Sequence, residues 1–233
     1  MKLNAHVNQI VDCDSWKQHR PPKKPDIQWK DGRSAKELAR FVTTSLPDMP
    51  SEIEGKLVTF VDETAVFDWD AEYVTELPGI GEGRNHDAVF FNEDIVVCIE
   101  AKADETLGNL IQEEMRNASV NKLGRISDLL KMIFKGGFKE YGNLRYQLLT
   151  ASTGAILEAK KRGVKTAILL VIVFKSEEHT TKEKIENNNA DIQRFLNATA
   201  AVDCNGLKKI PNNSDINLYF DKIEIELHPV KSI

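Results

Sequence analysis

Apolar residues in this chain recur at two spacings, and the spacing changes along its length. Leu38, Phe41 and Val42 recur at helical intervals after Ser34, and Glu37 stands three residues beyond that serine. This is the pattern of an N-cap with a capping box, and it predicts a helix over about 34–45. Pro47 and Pro50 end it, and a second short helix begins at Ser51. The stretch 59–70 fits neither period. From Glu72 the period becomes two: Tyr73, Val74 and Thr75 are good strand formers. Pro78-Gly79 and Gly81-Glu82-Gly83 mark a loop, Asp87 to Phe91 a second strand, Asn92-Glu93-Asp94 a turn, and Ile95 to Ile99 a third strand. That third run is apolar on both faces and is expected in the middle of a covered sheet.

Residues 107–135 read as helix-rich. A further helix covers about 143–162, with Leu144, Leu148, Ala151 and Ala155 on one face and Gly163 as its stop. Thr166 to Phe174 is a buried strand. Glu183 to Asn197 is a helix interrupted by Asn187-Asn188-Asn189, and Ile216 to Leu227 closes the chain as an edge or terminal strand. Before all this, Arg20-Pro21-Pro22-Lys23-Lys24-Pro25 reads as part of an extended basic arm, residues 1–33. The order predicts one α/β domain over 34–233, with a central mixed β-sheet flanked by helices and a core at about 34–174.

Composition narrows the class. The 233 residues are 41% hydrophobic and 29% charged, as in globular proteins. The longest apolar run, Ala167 to Phe174, is far short of the roughly 20 residues a membrane span needs. The N-terminus lacks the apolar stretch of a signal peptide. Cys13, Cys98 and Cys204 are far apart, and no CxxC or HExxH occurs. A cytoplasmic protein with no membrane partner is expected. The net charge of −5 hides a segregation: Asp48 to Glu114 holds eighteen acidic and three basic residues and carries −15, so the remainder carries +10. Basic residues gather at 17–40 and 116–145. An acidic centre between basic flanks suits a divalent-metal site beside a phosphate-binding surface.

The candidate chemistry lies in the strand pair. Asp87 opens one strand and Glu100-Ala101-Lys102 closes the next. A tight turn makes the pair antiparallel, which brings Asp87 beside Glu100. Period two puts Glu100 and Lys102 on one face. Two carboxylates on rigid strands form a hard-oxygen pocket for Mg²⁺ or Mn²⁺, with the Ala101 carbonyl as a third ligand. Lys102 is placed to hold a water and neutralise charge on a phosphate. The competing reading is a structural salt bridge at a strand end. Glu-x-Lys itself is uninformative, since it also occurs as Glu54-Gly55-Lys56 and Glu158-Ala159-Lys160. Helical period splays the last pair apart on what reads as a solvated face.

Asp87 followed by Glu100-Ala101-Lys102, in this order of elements, resembles the PD-(D/E)XK nuclease superfamily, whose fold is restriction-endonuclease-like. His86 stands where that pattern often has proline. The segments from Trp29 to Ala35, Leu77-Pro78-Gly79, and Leu144 to Leu149 are similar to a bacterial group of such proteins with no assigned substrate. The resemblance implies a magnesium-dependent nuclease acting on nucleic acid, most often DNA, with Asp87, Glu100 and Lys102 catalytic. It also implies Asp87, Glu100 and Ala101 as metal ligands; symmetric cleavage of both strands would need a homodimer. Glu76, Glu82 and Gln147 are auxiliary candidates. Glu37 is already explained as a cap, and Ala151 stands where a tyrosine would complete the glutamine sub-motif. The alternative is a nuclease-fold module that binds nucleic acid or a protein partner without cleaving. His86 reads as structural, and Trp16, Trp29 and Trp69 as core or anchor residues.

Overall fold

The computed structural model describes residues 1–4, 9–135, 138–176 and 178–227. Its strands are β1 (Lys2–Asn4), β2 (Val66–Thr75), β3 (Arg84–Phe91), β4 (Ile95–Lys102), β5 (Thr166–Lys175), β6 (Val202–Cys204), β7 (Leu207–Ile210) and β8 (Asn217–Glu226). The helices are α1 (Cys13–His19), α2 (Pro25–Gln28), α3 (Ser34–Ser45), α4 (Ser51–Leu57), α5 (Ile111–Arg116), α6 (Val120–Ile133), α7 (Phe138–Tyr141), α8 (Tyr146–Arg162) and α9 (Lys182–Ala198). The strands form one sheet in the order β1-β2-β3-β4-β5-β8-β7-β6. β2, β3 and β4 are an antiparallel meander; β4, β5 and β8 run parallel to one another. The protein is therefore α/β, with a mixed sheet between two layers of helices.

The sheet is covered on both faces because its central strands are apolar at nearly every position. All eight residues of β4 are buried. On one face Val96, Cys98, Leu169 and Val171 pack with Leu129 of α6, Leu148 and Ala155 of α8 and Phe195 of α9. On the other, Phe90, Val97, Ile99 and Leu170 pack with Leu38 and Val42 of α3 and Ile53 of α4. No helix of the described residues is long and apolar enough to cross a membrane.

Several expectations are corrected. The described part of residues 1–33 is not an extended arm. β1 pairs with β2, α1 is closed by a reciprocal Asp12–Ser15 capping box, and Ile10 and Trp16 are buried. Pro25 opens α2 rather than preventing it, since the first helical turn needs no N–H from it. Ser34 lies inside α3, and Arg33 is the N-cap. Glu37 instead accepts the backbone N–H of Gly32 at 2.8 Å. The asparagine triplet does not interrupt α9, because Asn188 is buried and donates to the Glu105 carbonyl at 2.9 Å. β8 is the last strand, and it is interior only at Leu218–Phe220, where the β6–β7 hairpin, which hydropathy did not signal, adds two strands beyond it; its alternating second half has no strand on that side among the described residues.

Candidate active site

The site forms where the meander changes face. Ala71 pairs with Ala88 and Tyr73 with His86, which leaves Glu72 opposite Asp87 with no ladder pairing between them. Glu72 has φ 48°, a left-handed conformation unusual for a residue with a side chain. Phe67, Trp69 and Ala71 face α3, yet Tyr73 and Thr75 reach Glu158 on α8. β3 switches likewise: Ala88 and Phe90 face α3, while His86 lies against Gly154 of α8. Both strands thus reverse their facing at Glu72 and Asp87.

The β3–β4 ladder ends in the same place. Its last pair is Ala88 with Ile99, so Asp87 and Glu100 are the next opposed positions. Asp87 Oδ2 accepts the Ala101 N–H at 2.6 Å, a side chain standing in for a missing ladder bond. Glu100 Oε1 accepts from Lys102 Nζ and from Gln147 Nε2, both at 2.6 Å, and Arg84 contacts Glu100 Oε2. The side chains of Glu100 and Lys102 are 2% and 7% exposed, so these ions are held by each other rather than by water.

Burial governs the proton affinities. It pushes the Asp87 carboxyl up, against the pull of Lys102, the Ala101 N–H and Arg84. Burial, and then the neighbouring Asp87, push Glu72 up to about 8, despite a 2.5 Å hydrogen bond from Asn85 Nδ2. Burial lowers the Lys102 ammonium, which Asp87 partly restores. His86 is fully buried and held well below its ordinary value, by burial first and Arg84 second, so it is neutral.

A family model described as a domain of unknown function, DUF6946, matches residues 9–227. The chain belongs to the DUF6946 family. No curated protein and no solved structure matches it.

Of the residues singled out by sequence, this DUF6946 chain brings together Asp87, Glu100, Lys102 and Gln147. Ala101 contributes its N–H, to Asp87, and its methyl group joins the core beside α3. Glu76 and Glu82 are exposed, and Glu82 pairs with Lys23 at 2.6 Å. Glu158 of the third Glu-x-Lys is not on a solvated face. It is fully buried and accepts from Tyr73 Oη at 2.8 Å, Thr75 Oγ1 at 3.2 Å and Arg162 Nε at 2.7 Å. Two participants were missed, Glu72 and Arg84. A signal for the second existed: Arg84 is the sole basic residue between Lys56 and Lys102. Among the described residues, no three His, Cys, Asp or Glu side chains group closely enough to hold a metal ion by themselves.

Gly154 shapes this site from behind. A Cβ there would lie 2.6 Å from His86 Nε2 and 3.2 Å from Arg84 Cγ. Overpacking in Gly154→Ala is expected to cost about 3 kcal/mol, the upper end of the usual range because the close neighbour is a buried ring, against roughly 1 kcal/mol gained in helix propensity, for a net loss of about 2 kcal/mol. Chemical denaturation of the variant checks this, and a more stable protein would contradict it.

Proposed function

We propose that this DUF6946 protein is a metal-dependent nuclease that hydrolyses phosphodiester bonds, with DNA as its substrate class. The observation that carries the reading is the buried Glu100–Lys102 pair on β4, with Asp87 at the next position across the strand boundary. The order α3, meander β2–β4, α8 and parallel β5 supports a restriction-endonuclease-like core around that pair. Asp87 and Glu100 offer the hard oxygen donors that Mg²⁺ or Mn²⁺ takes. Mg²⁺ needs only one or two protein carboxylates, since it keeps several waters. Burial raises both Asp87 and Glu72, and a bound cation would favour these carboxylates in their charged form. When bound, such an ion polarises the phosphate and lowers the pKa of its water. Lys102 neutralises charge developing on the phosphate, and Gln147 fixes the orientation of Glu100.

A second reading has one observation in its favour. Glu100 Oε1 already accepts from Lys102 and Gln147, and Arg84 forms an ion pair at Oε2. On that reading the cluster is self-neutralised and the domain binds nucleic acid or a protein without cutting. Incubation with plasmid, linear duplex, single-stranded DNA and RNA, with Mg²⁺ or Mn²⁺, separates the two. Cleavage that EDTA abolishes is expected; intact substrate under every condition selects the binding module.

The basic segments meet at the loop between β2 and β3. Lys23 pairs with Glu82, while Arg125 of α6 donates to the carbonyls of Pro78 at 3.0 Å, Gly79 at 3.3 Å and Glu82. Reversing Lys23 and Lys24 to glutamate is expected to weaken DNA binding and to make its logarithmic salt slope shallower by about one for each phosphate no longer neutralised. An unchanged slope would remove this segment from the binding surface.

A further inference from the structure

We infer that Arg84 is the phosphate-binding residue of the site, holding the non-bridging oxygens of the substrate's phosphodiester. The nuclease reading supplies the ligand class; the assignment to this side chain is argued from Arg84 itself.

Arg84 is the first residue of β3, directly after the loop that ends at Gly83, and its side chain is only 12% exposed. Its stem lies against α8 at Gly154, where any larger residue would push on Arg84 Cγ. The guanidinium is therefore placed by packing rather than held at the end of a free chain. A guanidinium carries five N–H donors. One terminal nitrogen meets Glu100 Oε2, while Nε is buried and has no hydrogen-bond partner among the described residues. Leaving a buried donor unsatisfied is unfavourable, and native proteins keep such groups where a ligand or function requires them.

The ligand's chemistry follows from the donor geometry. A planar fork of parallel N–H groups matches two oxygens of a phosphate, which a single ammonium cannot do. Lys102 sits on Oε1 of Glu100 and Arg84 on Oε2 of the same carboxylate. One carboxylate thus sets two cations side by side, with Glu100 Oε2 and Arg84 Nε both lacking a hydrogen bond among the described residues, and an anion could bridge the two cations. Lys102 and Arg84 then divide the work: the ammonium acts as a point charge and the guanidinium sets orientation.

The test uses inorganic phosphate as a probe, titrated calorimetrically at constant ionic strength with Mg²⁺ present, on the parent, Arg84→Lys and Arg84→Gln. Hydrolysis of bis(p-nitrophenyl) phosphate with Mn²⁺ is followed in parallel. Phosphate affinity is expected to fall about tenfold or more in Arg84→Gln, as for a lost charge-assisted hydrogen bond, and less in Arg84→Lys. KM should rise by a similar factor, with a smaller change in kcat. Circular dichroism establishes that each variant is folded. In the parent, the Arg84 Nε–H resonance should shift on adding phosphate, a readout that needs no variant. Equal phosphate binding by the parent and Arg84→Gln, or an unmoved Nε–H resonance, overturns the assignment. Should phosphate bind through Arg84 while no nucleic acid is cut with any metal, the nuclease reading falls and this one stands. Should nucleic acid be cut with the KM of Arg84→Gln unchanged, Arg84 loses the role and the nuclease reading stands.

Discussion

Lys102→Met is expected to slow phosphodiester hydrolysis by about 10²-fold or more, the usual loss when a donor that stabilises transition-state charge is removed. Lys160→Met should be silent. The two lysines close the same tripeptide, Glu-Ala-Lys, so the comparison is internal. Lys102 is buried and donates to Glu100 at 2.6 Å, whereas Lys160 is 44% exposed and stands 3.8 Å from Asp215. An exposed pair of that kind contributes little. Methionine is preferred to alanine at 102 because it fills the space of the buried stem. Even so, Glu100 loses one of its cations, and breaking a buried pair costs about 3–5 kcal/mol. Rates should therefore be compared at a temperature where thermal melting finds both proteins folded. If folded Lys102→Met cuts as fast as the parent, Lys102 has no part in the chemistry.

The second large effect is on stability. Glu72 has a carboxyl pushed from 4.5 to about 8, chiefly by burial. Between those values the folded protein keeps a proton that the unfolded chain has released. Stability must then fall as pH rises through this window, by up to about 1.4 kcal/mol per pH unit. Below the window both states are protonated, and above it both are ionised, so the slope vanishes on either side. Asp87 is raised for the same first cause and adds to the slope with the same sign. Glu72→Gln should flatten most of the decline and leave the variant more stable than the parent at pH 8. Urea denaturation from pH 5 to 8.5 measures it. Repeating the series with Mg²⁺ should flatten the parent's slope too, since a bound cation favours both carboxylates in their charged form. A slope indifferent to Mg²⁺ would falsify metal binding at these carboxylates.

The parts of this fold that were legible in the sequence are those governed by local chemistry. Ile95 to Ile99 announced a buried strand because apolar residues on both faces have few other uses. Gly163 announced the end of α8, and it takes φ 75° there, where a side chain would be strained. Asp87, Glu100 and Lys102 were found because one short hairpin joins them. What was not legible depends on distant partners. β8 reads as an edge or terminal strand by its alternation, and the unforeseen hairpin beyond it covers only Leu218–Phe220. Glu158 reads as solvated because the helical period of α8 does not show that β2 supplies Tyr73 and Thr75. Glu72 and Arg84 enter the site through register across the β2–β3 loop, which no spacing rule within either strand reveals.

The two ends of the sheet bear on how copies of the protein can meet. The outermost strands, β1 and β6, are each three residues long. They leave much of the longer strands inside them uncovered: β1 pairs only with Val66–Asp68 of β2, and β7 only with Leu218–Phe220 of β8, so among the described residues Trp69–Thr75 and Asp221–Glu226 have no strand on their outer sides. Two copies acting on opposite strands of a duplex would therefore find open backbone edges on both sides of the sheet, through which one subunit's strands could continue those of its partner.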